Sequence, residues 1–328
     1  MCIFGCMPLS AQQQRFERRA WAGGFFDGEG CTMARSETRR PGYRRLNVAV
    51  PQQGHAIVPE VLIRFTAAMN GMGTICRESD GLYLWRVLDD SQARATVALL
   101  RPWIGTVKRR QAARSIAAVD EQYALGRIRG RPGRRRPLVQ VPAVALNALA
   151  PEARRRLDRA WAAGFLDGEG CFGLARARPR VGGPAWYRIR ASATQHGEVG
   201  MPAQVLRRLH RILGLGHIEC HGEPDDYKWV AEGLPGVQRV LEVVDPWLGT
   251  VKRDQARDAI ASFTEQIRFK GGTTHCKRGH TYDRITRRRN GSLHRRCNAC
   301  ARLLGRRQRA ALGIAPRQFT NAARRYTE

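Results

Sequence analysis

The stretch RAWAGGFFDGEGC at 19–31 returns as RAWAAGFLDGEGC at 159–171, with eleven of thirteen positions identical. A second block behaves the same way: PWIGTVKRRQA at 102–112 returns as PWLGTVKRDQA at 246–256, nine of eleven identical. A repeat this long marks a duplicated domain and not a solenoid array. Each copy keeps an acid in a glycine-rich turn and a lysine far downstream, so the chemistry is expected to occur twice.

The rest of the chain sets the class of partner. At 328 residues with 43% hydrophobic content it can build two domains, each with its own core. The formal net charge is +29, from 57 basic against 28 acidic residues, and only five of the basic ones are lysine. A GC-rich genome explains the arginine preference but not the net charge. So large an excess repels itself unless a polyanion neutralises it, which points to nucleic acid. Nine cysteines, an odd number scattered through both halves, are not a secreted disulfide framework. The opening MCIFGCMPLS has no basic leader region, and no run approaches eighteen apolar residues. A soluble, cytoplasmic, nucleoid-associated monomer of bacterial or phage origin is expected, without a membrane partner.

Each half reads helix, strands, helix, strands, helices, an α+β module built twice. The motif helix is expected to stop at the DGEG turn. In the second half, alternation places Arg176, Arg178 and Arg180, and then Arg188 and Arg190, on the face of a sheet. In the first half Arg35, Arg39, Arg44 and Arg45 occupy the matching region. Apolar helices follow at 61–69 and 205–213, and strands with aromatic pairs at 83–85 and 227–229. Between the halves, GRIRGRPGRRRP at 126–137 has six arginines and no acid, the composition of a linker. The expected organisation is a first half over 15–125, a basic linker over 126–151, a second half over 152–270 and a C-terminal module over 273–328.

The motif helix carries a packing signal. Gly24 and Gly28, and likewise Gly164 and Gly168, sit four apart on one helix face. Glycine costs about 1 kcal/mol of helix propensity relative to alanine, so its presence in both copies calls for close helix–helix packing. If the two motif helices pack together, Glu29 and Glu169 arrive side by side at two negative helix ends. Divalent cations such as Mg²⁺ would relieve that crowding and bridge to phosphate, which leads to metal-assisted phosphodiester hydrolysis.

WAGGFFDGEG (21–30) and WAAGFLDGEG (161–170) resemble the two motifs of a single-chain LAGLIDADG homing endonuclease, and the likeness extends over residues 15–268. The resemblance implies two αββαββα-type halves forming a DNA-binding saddle, and double-strand cleavage with short 3′ overhangs. It implies that Glu29 and Glu169 are the catalytic, metal-binding acids, with Asp27 and Asp167 the usually noncatalytic ones. Gly28 and Gly168 would lend backbone carbonyls near the Mg²⁺ or other divalent ions. Lys108 and Lys252 match the family's lysine, and Gln52 and Gln195 its strand glutamine, with Gln53 an alternative to Gln52. Arg109 and Arg253 are candidate phosphate contacts. Some relatives are RNA-binding maturases and others transcription factors, so RNA and noncatalytic DNA binding are the rival readings.

Near the C-terminus, Cys276-x₃-His280 and Cys297-x₂-Cys300 supply four soft ligands in two pairs sixteen residues apart. That set suits a closed, structural Zn²⁺ site, with His275 and His294 as alternatives to His280. The CKRGH…RRCNAC pattern resembles zinc modules appended to phage and bacterial nucleases. Residues 276–328 hold 15 Lys or Arg against two acids, the composition of an auxiliary DNA-binding module.

Overall fold

The computed structural model describes residues 10–37, 40–54, 57–78, 81–124, 148–177, 186–268, 274–287 and 293–312. Arg39, Arg178, Arg180 and most of the linker lie outside them. Among the described residues no helix is long and apolar enough to cross a membrane.

The first repeat runs α1 (Ala11–Glu29), β1 (Cys31–Glu37), β2 (Arg40–Gln53), α2 (Glu60–Ala68), β3 (Thr74–Arg77), β4 (Leu82–Val87), α3 (Asp90–Leu100) and α4 (Thr106–Ala124). The second repeats that order as α5 (Pro151–Glu169), β5 (Gly170–Ala177), β6 (Trp186–His196), α6 (Gln204–Leu213), β7 (His217–Cys220), β8 (Asp226–Glu232), α7 (Leu234–Val244) and α8 (Thr250–Arg268). A tail of β9 (Arg284–Arg287), β10 (Leu293–Arg296) and α9 (Asn298–Ala311) follows. The architecture is therefore α+β, as the alternating patterns predict. The chain divides into two compact units, Met1–Glu169 with Pro246–Gly249, and Gly170–Asp245 with Thr250–Glu328. Both motif helices fall in the first.

Helix α1 starts with a capping box: Ser10 Oγ accepts from the Gln13 N–H at 3.2 Å and the Ser10 N–H donates to Gln13 Oε1 at 2.9 Å. It runs through Gly28 and ends at Glu29, inside the DGEG sequence where the stop is expected. Gly30 ends it with φ −74°, in no left-handed turn, and the chain passes straight into β1. Glycine is needed at Gly30 because a Cβ there would lie 2.1 Å from the Phe26 ring.

The sheet of the first repeat is antiparallel in the order β1-β2-β4-β3. Its inner face buries Leu46, Val48, Val50 and Trp85 against the helices. The opposite alternation carries the cross-strand pair Arg35↔Arg45. Arg44 pairs with Ser36 and so alternates with the inner face, its backbone held at both ends by the Gln122 amide.

In the second unit β5, β6, β8 and β7 form the equivalent sheet, burying Phe172, Ile189, Ala191 and Trp229. Arg188 pairs with Ala175 and Arg190 with Gly173, whereas Arg176 pairs with Tyr187. The register therefore separates Arg176 from the alternation of Arg188 and Arg190, because β5 and β6 are offset by one from what a common arginine face requires. The tail joins this sheet: β9 pairs with β6 at Trp186↔Thr286 and Tyr187↔Ile285, extending it to six strands. The Cys/His segment is thus continuous with the second repeat's sheet, a joining that composition alone does not reveal.

Candidate active site and metal centre

Helices α1 and α5 meet along their glycines. A Cβ on Gly24 would stand 1.9 Å from the Trp161 carbonyl oxygen, and one on Gly164 would stand 1.9 Å from that of Trp21. Backbone touches backbone in a reciprocal arrangement, which is the close packing that the spacing of small residues predicts. Each helix stacks its own aromatic pair behind the seam, Trp21 on Phe25 and Trp161 on Phe165, both with centroids 5.4 Å apart.

The tryptophans lock the register. Trp21 Nε1 donates across the seam to Asp167 at 2.7 Å, and Trp161 Nε1 donates to Asp27 at 3.0 Å. Each aspartate accepts a second set of bonds from the other repeated block. The Gly105 N–H donates to Asp27 at 2.8 and 2.9 Å, and the Gly249 N–H donates to Asp167 at 2.9 Å to each oxygen. With both carboxylates buried, these are structural acceptors that tie each PW-G turn to the helix pair.

Glu29 and Glu169 behave differently. Both are half-buried at the C-terminal ends of their helices. The Cγ of Glu169 lies 2.8 Å from where a Gly28 Cβ would be, and the Cγ of Glu29 lies 3.0 Å from that of Gly168. Each glutamate therefore rests against the opposing helix's glycine, so any side chain at 28 or 168 would displace a carboxylate. Two acids at two helix C-termini concentrate negative charge in one small volume, and their oxygen donors suit a hard divalent cation.

Two further predicted residues join them. Gln52 Nε2 donates to Glu29 Oε1 at 3.1 Å, while Gln53 pairs in register with Leu82. Lys108 Nζ donates to the Gly30 carbonyl at 2.5 Å, one residue beyond Glu29. In the second unit Lys252 Nζ donates to the Gly170 carbonyl at 2.5 Å, one residue beyond Glu169. Gln195 occupies the β6 position that pairs with Tyr227, as Gln52 pairs with Tyr83 on β2. Arg109 donates to the Pro102 carbonyl at 3.4 Å, and Arg253 is engaged by Asp245 at 2.9 Å.

Several contributors escape a sequence reading. Arg64 stacks on Trp21 with its guanidinium carbon 3.9 Å from the ring centroid, donates to the Trp247 carbonyl at 2.6 Å and lies 3.7 Å from Asp167. Glu17 is buried, paired with Arg156 and accepting from Trp247 Nε1 at 2.8 Å. In sequence both look like solvated charges on amphipathic helices. Lys228, on the Arg190 side of the second sheet, is also buried; burial first, then the neighbouring Arg190, holds its ammonium below the usual lysine range.

The Cys/His segment closes as a cluster. Ligand atoms of Cys276, His280, Cys297 and Cys300 all lie within 4.8 Å of one another, with Cys276 Sγ 3.6 Å from both His280 Nδ1 and Cys300 Sγ. His280 is the fourth member, since His275 Nδ1 faces Thr274 Oγ1 at 2.9 Å and His294 sits on β10. Gly279, with φ +77°, turns the chain so that Cys276 and His280 meet. Burial raises the Cys276 thiol, but hydrogen bonds from the Arg278 and His280 backbone and from Cys300 and His280 outweigh it and draw it to about 6. Burial, then Cys276 and Cys297, push Cys300 up to about 11. A three-cysteine, one-histidine set with its ligand atoms this close could hold a metal.

No protein-family model and no curated protein matches this chain. Its structure is similar to the LAGLIDADG meganuclease I-AabMI bound to uncleaved DNA, with a TM-score of 0.53 at 15% identity over 77% of this chain and 93% of that one. It is similar to the LAGLIDADG homing endonuclease I-GzeII in complex with its DNA target, with a TM-score of 0.52 at 14% identity over 77% and 94%. It is also similar to the meganuclease I-SmaMI bound to uncleavable DNA with a TTGT central four, with a TM-score of 0.53 at 15% identity over 77% and 94%. Over about 77% of its length the chain has the fold of the LAGLIDADG meganucleases.

Proposed function

We propose that this protein is a monomeric, site-specific double-strand DNA endonuclease that hydrolyses one phosphodiester bond on each strand and leaves short 3′ overhangs. The observation that carries the reading is the placement of Glu29 and Glu169, each against the opposing motif helix's glycine. A helix pair built only for packing would not need a carboxylate beside each of those glycines.

Glu29 and Glu169 would hold Mg²⁺ or another divalent cation, with the backbone carbonyls of Gly28 and Gly168 as further oxygen donors. Such ions, when bound, lower the pKa of a coordinated water and stabilise charge on the phosphate. Gln52 keeps one Glu29 oxygen oriented through its 3.1 Å bond, and Gln195 is assigned the same part in the second repeat. Lys108 and Lys252 bring a positive charge to the residue after each glutamate, where it can balance the phosphate and order solvent. Asp27 and Asp167 take no part in the chemistry; they hold the helices in place.

The arginines are assigned to DNA. Arg35 and Arg45 on the first sheet, and Arg188 and Arg190 on the second, alternate away from the helix-packed faces, where side chains can reach groove edges and phosphates. Because the two sheets carry different residues, each would read its own half-site and the target need not be a palindrome. Zn²⁺ is assigned to the Cys276, His280, Cys297 and Cys300 cluster as a structural ion.

The test is cleavage of a randomised duplex library with Mg²⁺, with and without EDTA, followed by sequencing of the cut ends. Recurrent, metal-dependent cuts with short 3′ overhangs are expected. Absence of cutting in a preparation that binds RNA tightly would replace this reading with that of a maturase on the same fold.

A further inference from the structure

Within the second unit, α9 stands beside a groove of about 1020 Å³. One wall is the sheet, through Arg188, His217 and Glu232; the other is α9, through Arg302, Gln308 and Arg309. The sheet wall belongs to the alternation of Arg190 and Val230, the side turned away from the buried Ile189 and Trp229. The groove therefore continues the surface assigned above to the second half-site.

Helix α9 is unusual as a protein element. Its 14 residues include no buried one. Isolated helices of this length are marginal in water. It carries four arginines and no acid, with Arg302, Arg306 and Arg309 spaced to repel one another. Among the described residues its hydrogen-bond anchors lie in the first turn: Cys297 caps it by accepting from the Cys300 N–H at 3.4 Å, and Asp283 accepts from the Asn298 N–H at 2.8 Å. The two acids along the groove are both engaged internally, Glu232 by Arg188 at 2.7 Å and Asp283 by Asn298. A Cβ on Gly305 would meet nothing within 4 Å, so the groove stays open along the helix. A helix anchored at its Cys/His end, crowded with like charges and facing an open basic groove, is built to lie along a polyanion.

We propose that the groove between α9 and the outer face of β6 and β8 holds the phosphate backbone of the target duplex on the flank beyond the second half-site. The protein then protects one flank further than the other. This rests on the endonuclease reading and adds to it a one-sided footprint. It also makes the extension depend on the Cys/His cluster, because Cys297 and Cys300 fix the first turn of α9. At about 1.5 Å per residue the helix spans about 21 Å, the length of roughly six base pairs.

The experiment is hydroxyl-radical footprinting of the full chain on its selected target, combined with Kd measurements on duplexes trimmed base pair by base pair from either end. Protection is expected to run up to about six base pairs further on one side. Trimming that side should weaken binding while trimming the other by the same length should not. The Arg302→Ala, Arg309→Ala double variant, on the exposed helix, should lose the extension and lower the slope of log K against log salt by about 1.8, at about 0.9 per phosphate. Removal of the metal by chelation should shorten the same flank. Specific cleavage with a footprint of equal length on both sides, or an extension that survives the double variant, would overturn the inference and leave the nuclease standing. Failure to select any target would overturn both.

Discussion

At the scale of single residues, the two acids of each DGE sequence part company. Asp27 and Asp167 are buried and filled with donors, each bonded to a tryptophan across the seam and to a glycine N–H. Asp27→Asn would set an amide N–H₂ against those donors and should cost about 2–3 kcal/mol, read from urea unfolding. Glu29 and Glu169 are half-buried, each resting against the opposing helix's glycine. Glu29→Gln or Glu169→Gln should abolish double-strand cleavage while Kd for the target stays nearly unchanged; retained cleavage in both variants would remove the metal-site assignment. Lys108→Met should lower the cleavage rate on the order of 10²-fold, as for loss of an electrostatic stabiliser, and spare affinity; single-turnover kinetics separates the two.

At the scale of elements, the decisive contact is backbone on backbone. Gly24 and Gly164 face carbonyl oxygens that a Cβ would approach to 1.9 Å, so no rotamer adjustment accommodates alanine. Gly24→Ala should force α1 and α5 apart and cost at least about 1–3 kcal/mol, the range for overpacking, with cleavage falling further because Glu29 and Glu169 separate with the helices. Thermal unfolding measured beside cleavage checks both effects. The Cys/His element follows a different rule. Its thiols must lose protons to bind metal, so acidification should release the ion while higher pH retains it, followed with a metallochromic dye.

At the scale of the whole chain, the C-terminal segment is part of the second repeat's sheet. Removing residues 273–328 takes β9 from beside β6 and removes the strand pairing at Trp186 and Tyr187. The truncated chain should bind DNA more weakly and with a flatter salt dependence, the slope falling by about 0.9 for each phosphate that the segment neutralises. An unchanged slope would mean that the segment does not touch DNA. Its stability should also fall, which a separately folded bead on a tether would not cause.

Much of this is legible in the amino-acid sequence. Duplication, the element order of each half, the glycine seam and both glutamates follow from local pattern, because helix period and residue size act within one element. The four soft ligands are legible because metal chemistry restricts residue type and spacing. Tertiary structure alone decided the rest. It showed why two blocks repeat together: Gly105 and Gly249 of the second block donate to Asp27 and Asp167 of the first, and Lys108 and Lys252 reach the carbonyls behind the glutamates. It buried Glu17 and stacked the half-buried Arg64 on Trp21, both of which read as surface charges. It also set register, dividing Arg35 and Arg45 from Arg44, and Arg188 and Arg190 from Arg176. Register is a pairing between distant segments, and a one-residue offset exchanges the faces of a strand without changing its sequence.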